Sequence, residues 1–218
     1  MKLTTDRIID ASMAVFAESG YHGLSMRQVA QRLDAHAGSL YYHVPSRSAL
    51  LQLMADRLAQ QAYDAGSAAL AALPEKADWK AELHAQAAAL RQSIRRHPGG
   101  AALFADSPKV GSTGALALME RLLATLANAG VPVEHRGIAA DTLLSHVTGF
   151  VLQEQSDTPA VPVTAQDAVD IHEQFPMTVA AATAYDNEEK FTRSVQLLCG
   201  GIEALIGAPS TSIGSAGS

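Results

Sequence analysis

The stretch SLYYHVPSRSALL, residues 39–51, concentrates side chains that can contact another molecule. Three rings, those of Tyr41, Tyr42 and His43, follow the hydroxyl of Ser39 in a chain with only 5% aromatic residues. Pro45 ends the segment, because a proline disfavours helical geometry in the residue before it. Exposed aromatic side chains on so short a helix reduce solubility but are suited to contact with a partner.

A two-turn helix over residues 37–43 would place Leu40 and Val44 inward, one turn apart, and would leave the rings outside. The alternative is that the tyrosines cover the rim of the core, as tyrosines often do. Arg27 and Arg47 favour contact with nucleic acid, since each starts a neighbouring helix and could meet phosphates on one side of a groove.

The elements around this stretch form a recognisable order. A first helix has Thr4 or Thr5 as its N-cap and Gly20 as its stop, and a second begins at Ser25 with a capping box. The third carries the tyrosines, and a long fourth helix runs to about residue 73. Three short helices with a tight turn between the second and third predict a helix-turn-helix.

The segment GLSMRQVAQRLDAHAGSLYYHVPSRSALL resembles the DNA-binding head of the tetracycline-repressor (TetR) family. Twelve positions match the motif of that family without a gap: Gly23, Ser25, Arg27, Ala30, Leu33, Ser39, Leu40, Tyr41, His43, Val44, Arg47 and Leu50. The turn departs from it, with LDA where the family usually has LG followed by Ile or Val. Asp34 tolerates left-handed geometry, so we expect the turn to survive.

The resemblance implies a DNA-contacting role for nine residues. Ser25 and Arg27 would contact phosphate and the adjacent base. The major groove would be met by Ala37, Gly38, Ser39 and Tyr41, and the DNA backbone by Tyr42, His43 and Arg47. Alanine and glycine side chains cannot hydrogen-bond a base edge, so we expect modest affinity per head and a homodimer on a palindromic operator.

Charge and composition limit the partners and the compartment. The net charge is −6, but residues 1–62 carry six Lys and Arg against five Asp and Glu (+1), and residues 63–218 carry ten against seventeen (−7). A near-neutral head thus precedes an acidic body. One cysteine, Cys199, excludes an internal disulfide and is expected in the core. No signal peptide and no apolar run of about twenty residues is present, which predicts a soluble cytoplasmic protein without a membrane partner.

The pattern predicts an all-α fold in which the three-helix head, residues 1–47, is joined by a linker helix, 48–73, to a larger helical domain, 74–207, for ligand binding and dimerisation. Residues 208–218 read as a disordered tail. Four long helices are expected in the body. The Pro-rich segment 156–176 is expected to be a mobile loop with about one turn of helix.

The body resembles the ligand-binding and dimerisation domain of the same family more loosely. There, the last two long helices pair with their copies in a second subunit as a four-helix bundle. Apolar residues at suitable spacing predict such a seam: Leu143, Leu144, Val147, Val151, Val195, Leu198, Ile202 and Leu205. The alternative is that these residues pack within one subunit.

Polar residues on mainly apolar helices are candidates for a ligand pocket: Tyr63, Gln86, His97, His146 and Glu154, with Leu90, Leu103 and Leu122 as apolar neighbours. The alternative for each polar residue is a satisfied core or surface group. Tyr63 and Gln86 fall where the founding member of the family contacts its drug. Leu103 falls where that repressor uses a metal-ligating His, so no magnesium, other metal or cofactor is predicted.

The leading hypothesis is a DNA-binding transcriptional repressor that is released from its operator by a small, largely apolar effector. A second possibility is a helical DNA-binding scaffold that needs no ligand. The third, an all-helical enzyme, lacks support because the chain has no Glu-x-x-His pair, no His-Glu-x-x-His and no Gly-x-Ser-x-Gly motif.

Overall fold

The computed structural model describes residues 2–106, 111–156 and 164–206, and regular structure within these ranges is helical throughout. This confirms the predicted all-α class. The helices are α1 (Thr5–Gly23), α2 (Met26–Arg32), α3 (Ala37–His43), α4 (Arg47–Ala71), α5 (Trp79–Arg95), α6 (Gly100–Asp106), α7 (Thr113–Asn128), α8 (Val133–Glu154), α9 (Ala165–Gln174), α10 (Pro176–Thr183) and α11 (Asn187–Glu203).

Side-chain caps set the starts of the head helices where the sequence predicted them. Thr4, Ser25 and Ser46 each accept a hydrogen bond from a backbone N–H in the first turn of α1, α2 and α4 respectively. Such a cap satisfies one of the free N–H groups that begin every helix. At Gly20 the φ angle is 70°, so the regular part of α1 stops where expected before a last short turn.

The turn between α2 and α3 keeps the helix-turn-helix geometry despite its unusual sequence. Asp34 has a φ of 49°, in the left-handed region, and it is the one non-glycine residue with positive φ among those described. Asp and Asn enter this region at lower cost than most side chains. The backbone N–H of Ala35 then donates to Ala30 at 3.0 Å, which closes the turn.

Helix α4 belongs to two hydrophobic clusters. Its first half, up to Leu58, packs with α1, α2 and α3 in the head, and its second half, from Ala59, packs with α5, α7, α8 and α11 in the body. The buried residues change cluster within one helical turn. A rotation or bend of α4 therefore moves the head relative to the body.

The body contains more helix than the sequence predicted. The start of α5 at the Asp78 cap and the end of α7 before Gly130 are as expected. The seven-residue α6 was not foreseen, and the prediction of a loop with one turn over 156–176 is wrong from Thr164 onward. Thr164 and Asp167 form a reciprocal capping box that starts α9, and Pro176 begins α10. The predicted tail lies outside the described residues.

The apolar seam predicted for dimerisation is largely wrong. Six of its eight residues are buried within the single chain: Leu143, Leu144, Val147, Val151, Val195 and Ile202. Leu198 and Leu205 are only partly buried. A core face and an interface face have the same apolar period, so the spacing could not separate them. Within the described residues, no helix is both long enough and apolar enough to cross a bilayer.

Candidate nucleic-acid interface and body cavity

Helix α3 presents an exposed polar and aromatic face. Leu40 and Val44 are fully buried, as expected, while Tyr42 is 89% exposed and Tyr41 49% exposed. Gly38 lies one turn before both rings on the same face, where a Cβ would meet nothing within 4 Å. Tyr42 cannot serve as a covering rim at this exposure, so the structure favours a contact surface.

The other α3 residues of the prediction have more varied settings. Ser39 is exposed, and its neighbour Ala37 is half-buried and packs against the head core. His43 is also half-buried, with its ring edge-on to Tyr42 at a centroid distance of 5.4 Å. The rings of Tyr42 and His43 thus form one continuous outer surface. Ala37 packs the start of α3 against the head core.

Helix α2 supplies an arginine whose charge is available. Arg27 is exposed and makes no hydrogen bond or ion pair with another described residue. Ser25, in contrast, is engaged at the N-cap, where its Oγ accepts from the N–H of Gln28 and donates to Gln28 Oε1 at 2.7 Å. A contact from Ser25 to phosphate would therefore compete with its capping role.

Arg47 begins α4 and fastens it to the end of α1. Its Nε donates to the carbonyl oxygen of Leu24 at 2.9 Å, and its Nη2 donates to that of Tyr21 at 2.6 Å. The guanidinium carbon also lies 5.6 Å from the centre of the Tyr21 ring. The phosphate contact implied for Arg47 stays a prediction, and the structure adds a second role in holding the head together.

Helix α6 is one place where the body contacts the head. Leu103 is fully buried in the head cluster, and a Cβ at Gly99, just before α6, would lie 3.3 Å from the Phe16 ring in α1. Asp106 lies at the other end of α6, near the Tyr21 phenol. Burial, and then the hydrogen bond to Asp106, raise the pKa of Tyr21. Leu103 therefore lies in the head–body junction and not in a ligand pocket.

A small cavity lies in the middle of the body, between α5, α7 and α8. Its volume is about 10 Å³, which is room for about one water molecule. The residues around it are Gln86, Ala87, Leu90, Leu118, Arg121, Leu122, Leu143 and Leu144. Three predicted ligand residues, Gln86, Leu90 and Leu122, are thus brought together, in a core that is closed in this state.

Arg121 is the functional candidate that sequence reasoning missed. Its Nε donates to Gln86 Oε1 at 3.1 Å, and its Nη1 donates to Ser67 Oγ at 2.8 Å and to the carbonyl oxygen of Tyr63. The guanidinium carbon lies 4.6 Å from the centre of the Tyr63 ring. The sequence contained a signal for it, since Arg121 lies three residues after Leu118 and four before Thr125, on the same face of α7.

Other predicted ligand residues already have partners away from this cavity. His97 Nε2 lies 3.2 Å from Gln61 Oε1, and His146 Nε2 lies 2.7 Å from Ser194 Oγ. Burial lowers the pKa of both histidines, because the charged imidazolium loses hydration. Tyr63 adjoins the cavity through Arg121.

Glu154 belongs to an ion cluster that joins α5, α8 and α11. Its Oε1 lies 2.6 Å from Arg91 Nη2, and both side chains are nearly inaccessible, at 9% and 5% exposure. Glu188 pairs with the same guanidinium at 2.6 Å, and the bond from Arg91 lowers the Glu188 pKa. The unpaired polar group predicted at Glu154 is therefore a paired one.

A larger groove lies outside the core, between α5 and α11. Its volume is about 580 Å³, and its lining includes Lys80, His84 and Cys199. Cys199 is buried in the core cluster, as expected, and burial raises the pKa of its thiol. Across the described part of the chain, no three His, Cys, Asp or Glu side chains converge as a metal site.

Comparison with known proteins finds two family matches along the chain. Residues 8–54 match the family described as bacterial regulatory proteins, tetR family, and residues 71–206 match the tetracyclin repressor-like C-terminal domain. The first match covers most of α1, all of α2 and α3, and the start of α4. The second begins at the end of α4 and includes the closed cavity.

Individual relatives extend over nearly the whole chain. An HTH-type transcriptional regulator of Saccharopolyspora erythraea is 30% identical over 214 residues, which are 94% of this chain and 86% of the relative. The class D tetracycline repressor protein of Escherichia coli is 26% identical, over 95% of this chain and 92% of its own. A crystal structure of the Streptomyces coelicolor TetR family protein ActR in complex with actinorhodin superposes with a TM-score of 0.77 at 26% identity, covering 95% of this chain and 100% of that one.

Proposed function

The chain belongs to the TetR family of transcriptional regulators, and from that premise we propose that it is a homodimeric repressor released from a palindromic operator by a small molecule. Proteins of this family are regulators and not enzymes. The observation that carries the proposal is the exposed, tyrosine-bearing face of α3. The head that presents it is joined through α4 to a helical body with its own hydrophobic core. We assign residues 1–47 to the head, 48–73 to the linker helix and 74–207 to the body.

For DNA contact we propose the exposed face of α3 together with Arg27. Tyr41, Ser39 and the bare backbone at Gly38 would enter the major groove, while Tyr42, His43 and Arg27 would meet the flanking phosphates. A single head offers few base-reading groups. Two heads on successive major-groove turns are therefore needed for specific binding.

An exposed apolar face on α8 and α11 supports the homodimer. Ile138 and Leu197 are 69% and 78% exposed, and they border a groove of about 220 Å³ that Leu198 and Leu205 also line. At Gly201 beside them an added Cβ would meet nothing within 4 Å, so another helix could approach closely. This face lies on the same two helices as the apolar seam predicted from the sequence, beside the seam residues that are buried in the core.

The pair α9 and α10 gives a second argument for a dimer. No residue of 166–183 is buried within the chain. Even the large apolar side chains of Phe175 and Met177 are 49% and 85% exposed. Helices that bury nothing in their own subunit do not stay folded in water on propensity alone. A second copy of the chain, joined through α8 and α11, would cover them.

Release by ligand would use the contact between α6 and the head. A molecule that opens the cavity must move α5 away from α7, and α5 leads through Gly99 into α6. Because Leu103 on α6 is enclosed in the head cluster, its displacement shifts α4 and the spacing of the two heads. ActR, a protein of similar structure, has been solved in complex with the small molecule actinorhodin.

Selection of bound sequences from random DNA by the purified full-length protein tests the proposal. We expect a palindrome whose half-sites lie about one helical turn apart, with sedimentation showing two subunits per operator. Recovery of no preferred sequence, or a single subunit at every protein concentration, would overturn it. A scaffold that needs no ligand would bind the same palindrome and keep it in the presence of every compound that binds the body.

A further inference from the structure

Arg121 places a positive charge at the wall of an otherwise apolar cavity. Of the eight residues around the cavity, six are alanine or leucine, and the other two are Gln86 and Arg121 itself. The three acceptors that hold the guanidinium are a carbonyl oxygen, a hydroxyl and an amide oxygen, which are all neutral. Hydrogen bonds orient the group, and its charge remains uncompensated.

No acid is close enough to neutralise this charge among the described residues. Arg121 forms no ion pair within 4.0 Å, and the nearby Asp64 is exposed and accepts a hydrogen bond from Gln60 at 3.0 Å. Burial lowers the Arg121 pKa because desolvation outweighs the electrostatic influence of Tyr63 and Asp64. Arg91, also in the body, forms ion pairs with the carboxylates of Glu154 and Glu188, each at 2.6 Å. The buried Arg91 is thus paired with acids, whereas the partly buried Arg121 has no acidic partner among the described residues.

The backbone is shaped to admit this side chain. Gly66 on α4 faces the guanidinium, and a Cβ there would lie less than 2.5 Å from Nη2. Glycine in the middle of α4 costs helix stability relative to alanine, on the order of 1 kcal/mol. Nη2 packs against Gly66 and has no hydrogen-bond partner among the described residues, so its donor capacity is unused in the closed body.

We infer that the effector carries an acidic group, such as a carboxylate, a sulfonate or an ionised phenol, which pairs with Arg121 while its apolar part occupies the space between the leucines. The inference rests on the proposed function, since it names the ligand class of that cavity. A planar anion can accept two parallel hydrogen bonds from a guanidinium edge, and the apolar walls exclude competing water. The Gln86 amide, which now bridges Arg121 and Thr125, can then exchange partners.

The test uses two fluorescent probes that differ in one anionic group. The first is 8-anilino-1-naphthalenesulfonate, and the second is N-phenyl-1-naphthylamine, which lacks the sulfonate. We expect the full-length protein to bind the sulfonate about tenfold to a hundredfold more tightly, the range for hydrogen bonds to charged groups. Arg121→Gln should remove this preference and leave the affinity for the neutral probe unchanged.

Two further variants keep the result interpretable. Arg121→Lys retains the charge but loses the two parallel hydrogen bonds, so it should show a preference between those of the parent and the glutamine variant, also where the glutamine variant is poorly folded. Lys80→Gln removes a cation from the outer groove between α5 and α11 and should behave like the parent protein. Equal affinity of the parent for both probes, or a preference lost with Lys80 and kept without Arg121, would overturn the inference.

Failure of the inference is distinguishable from failure of the proposed function. The probe titrations need no DNA and report on the cavity alone. If the selected operator is bound and then released by uncharged compounds as effectively as by acids of the same shape, the acidic-ligand inference fails and the repressor proposal stands. If no operator is found, the repressor proposal fails, and the probe preference still decides the role of Arg121.

Discussion

The two arginines beside α3, which look equivalent in the sequence, should respond differently to replacement by alanine. Arg27 is exposed and unpaired among the described residues, so its loss should affect DNA binding and leave stability unchanged. Arg47 donates to the carbonyl oxygens of Tyr21 and Leu24, so its loss should destabilise the head. The structure therefore distinguishes an exposed arginine, Arg27, for which we propose a DNA contact, from Arg47, which also holds the head together.

The expected magnitudes follow from these contacts. Each phosphate contact adds about 0.9 to the slope of log affinity against log salt, so Arg27→Ala should lower the slope by about 1.8 per dimer. A hydrogen bond from a charged donor contributes about 1.5–3 kcal/mol. Arg47 is only half-buried, so we take about 2 kcal/mol for both bonds together. For a chain of this size that lowers Tm by about 4–8 °C.

Fluorescence anisotropy on the selected operator, at several salt concentrations, gives the slope, and thermal unfolding followed by circular dichroism gives Tm. Lys76→Ala is the matched control. It removes an exposed charge beyond the far end of α4 and should change neither quantity. A parent-like slope for Arg27→Ala would refute the assigned DNA surface, and a parent-like Tm for Arg47→Ala would refute the clamp.

Three further outcomes are expected. Tyr41→Ala should reduce the preference for the operator over random DNA in competition gel shifts, with Tm unchanged; a variant that discriminates like the parent would contradict the role of this ring. Arg91→Met should lower the free energy of unfolding in urea by about 3 kcal/mol, because the buried Glu154 keeps only the long contact to Arg95 at 3.7 Å. Adding Glu154→Gln should restore most of that loss, and a double variant as unstable as the single one would refute this account. Burial lowers the pKa of His146, so the unfolded chain binds more protons and stability should fall as pH drops below about 6.5; His146→Gln should flatten this dependence, and an unchanged pH profile would rule it out.

The sequence predicted the head more completely than the body because head signals are local. Caps at Ser25 and Ser46, the proline after α3 and the tolerance of Asp34 for a positive φ each act within a few residues. A dense family motif then fixed the order of these elements. Only the split roles of Arg27 and Arg47 needed coordinates, since the partners of Arg47 lie 23 and 26 residues away.

The body was harder to predict because its decisive contacts join distant segments. Arg121 meets groups on α4 and α5 that are 35 to 58 residues away, and Glu154 meets Arg91 across 63 residues. Hydrophobic periodicity showed which faces of α8 and α11 were apolar. It could not show which apolar residues pack inside one subunit and which remain for a partner, because both environments exclude water.

The closed cavity also explains how a ligand could release DNA without finely tuned contacts. Reversing a two-state equilibrium from 1:99 to 99:1 requires a difference in affinity of about 10⁴-fold between the states. A cavity of about 10 Å³ excludes any drug-sized molecule, so such a ligand binds only an opened body. That selectivity arises from exclusion, and the affinity for the open state then sets the concentration at which release occurs. Under the proposed function, Leu103 on α6 would transmit this opening to the head, so that opening of the body would disfavour the head spacing that fits DNA.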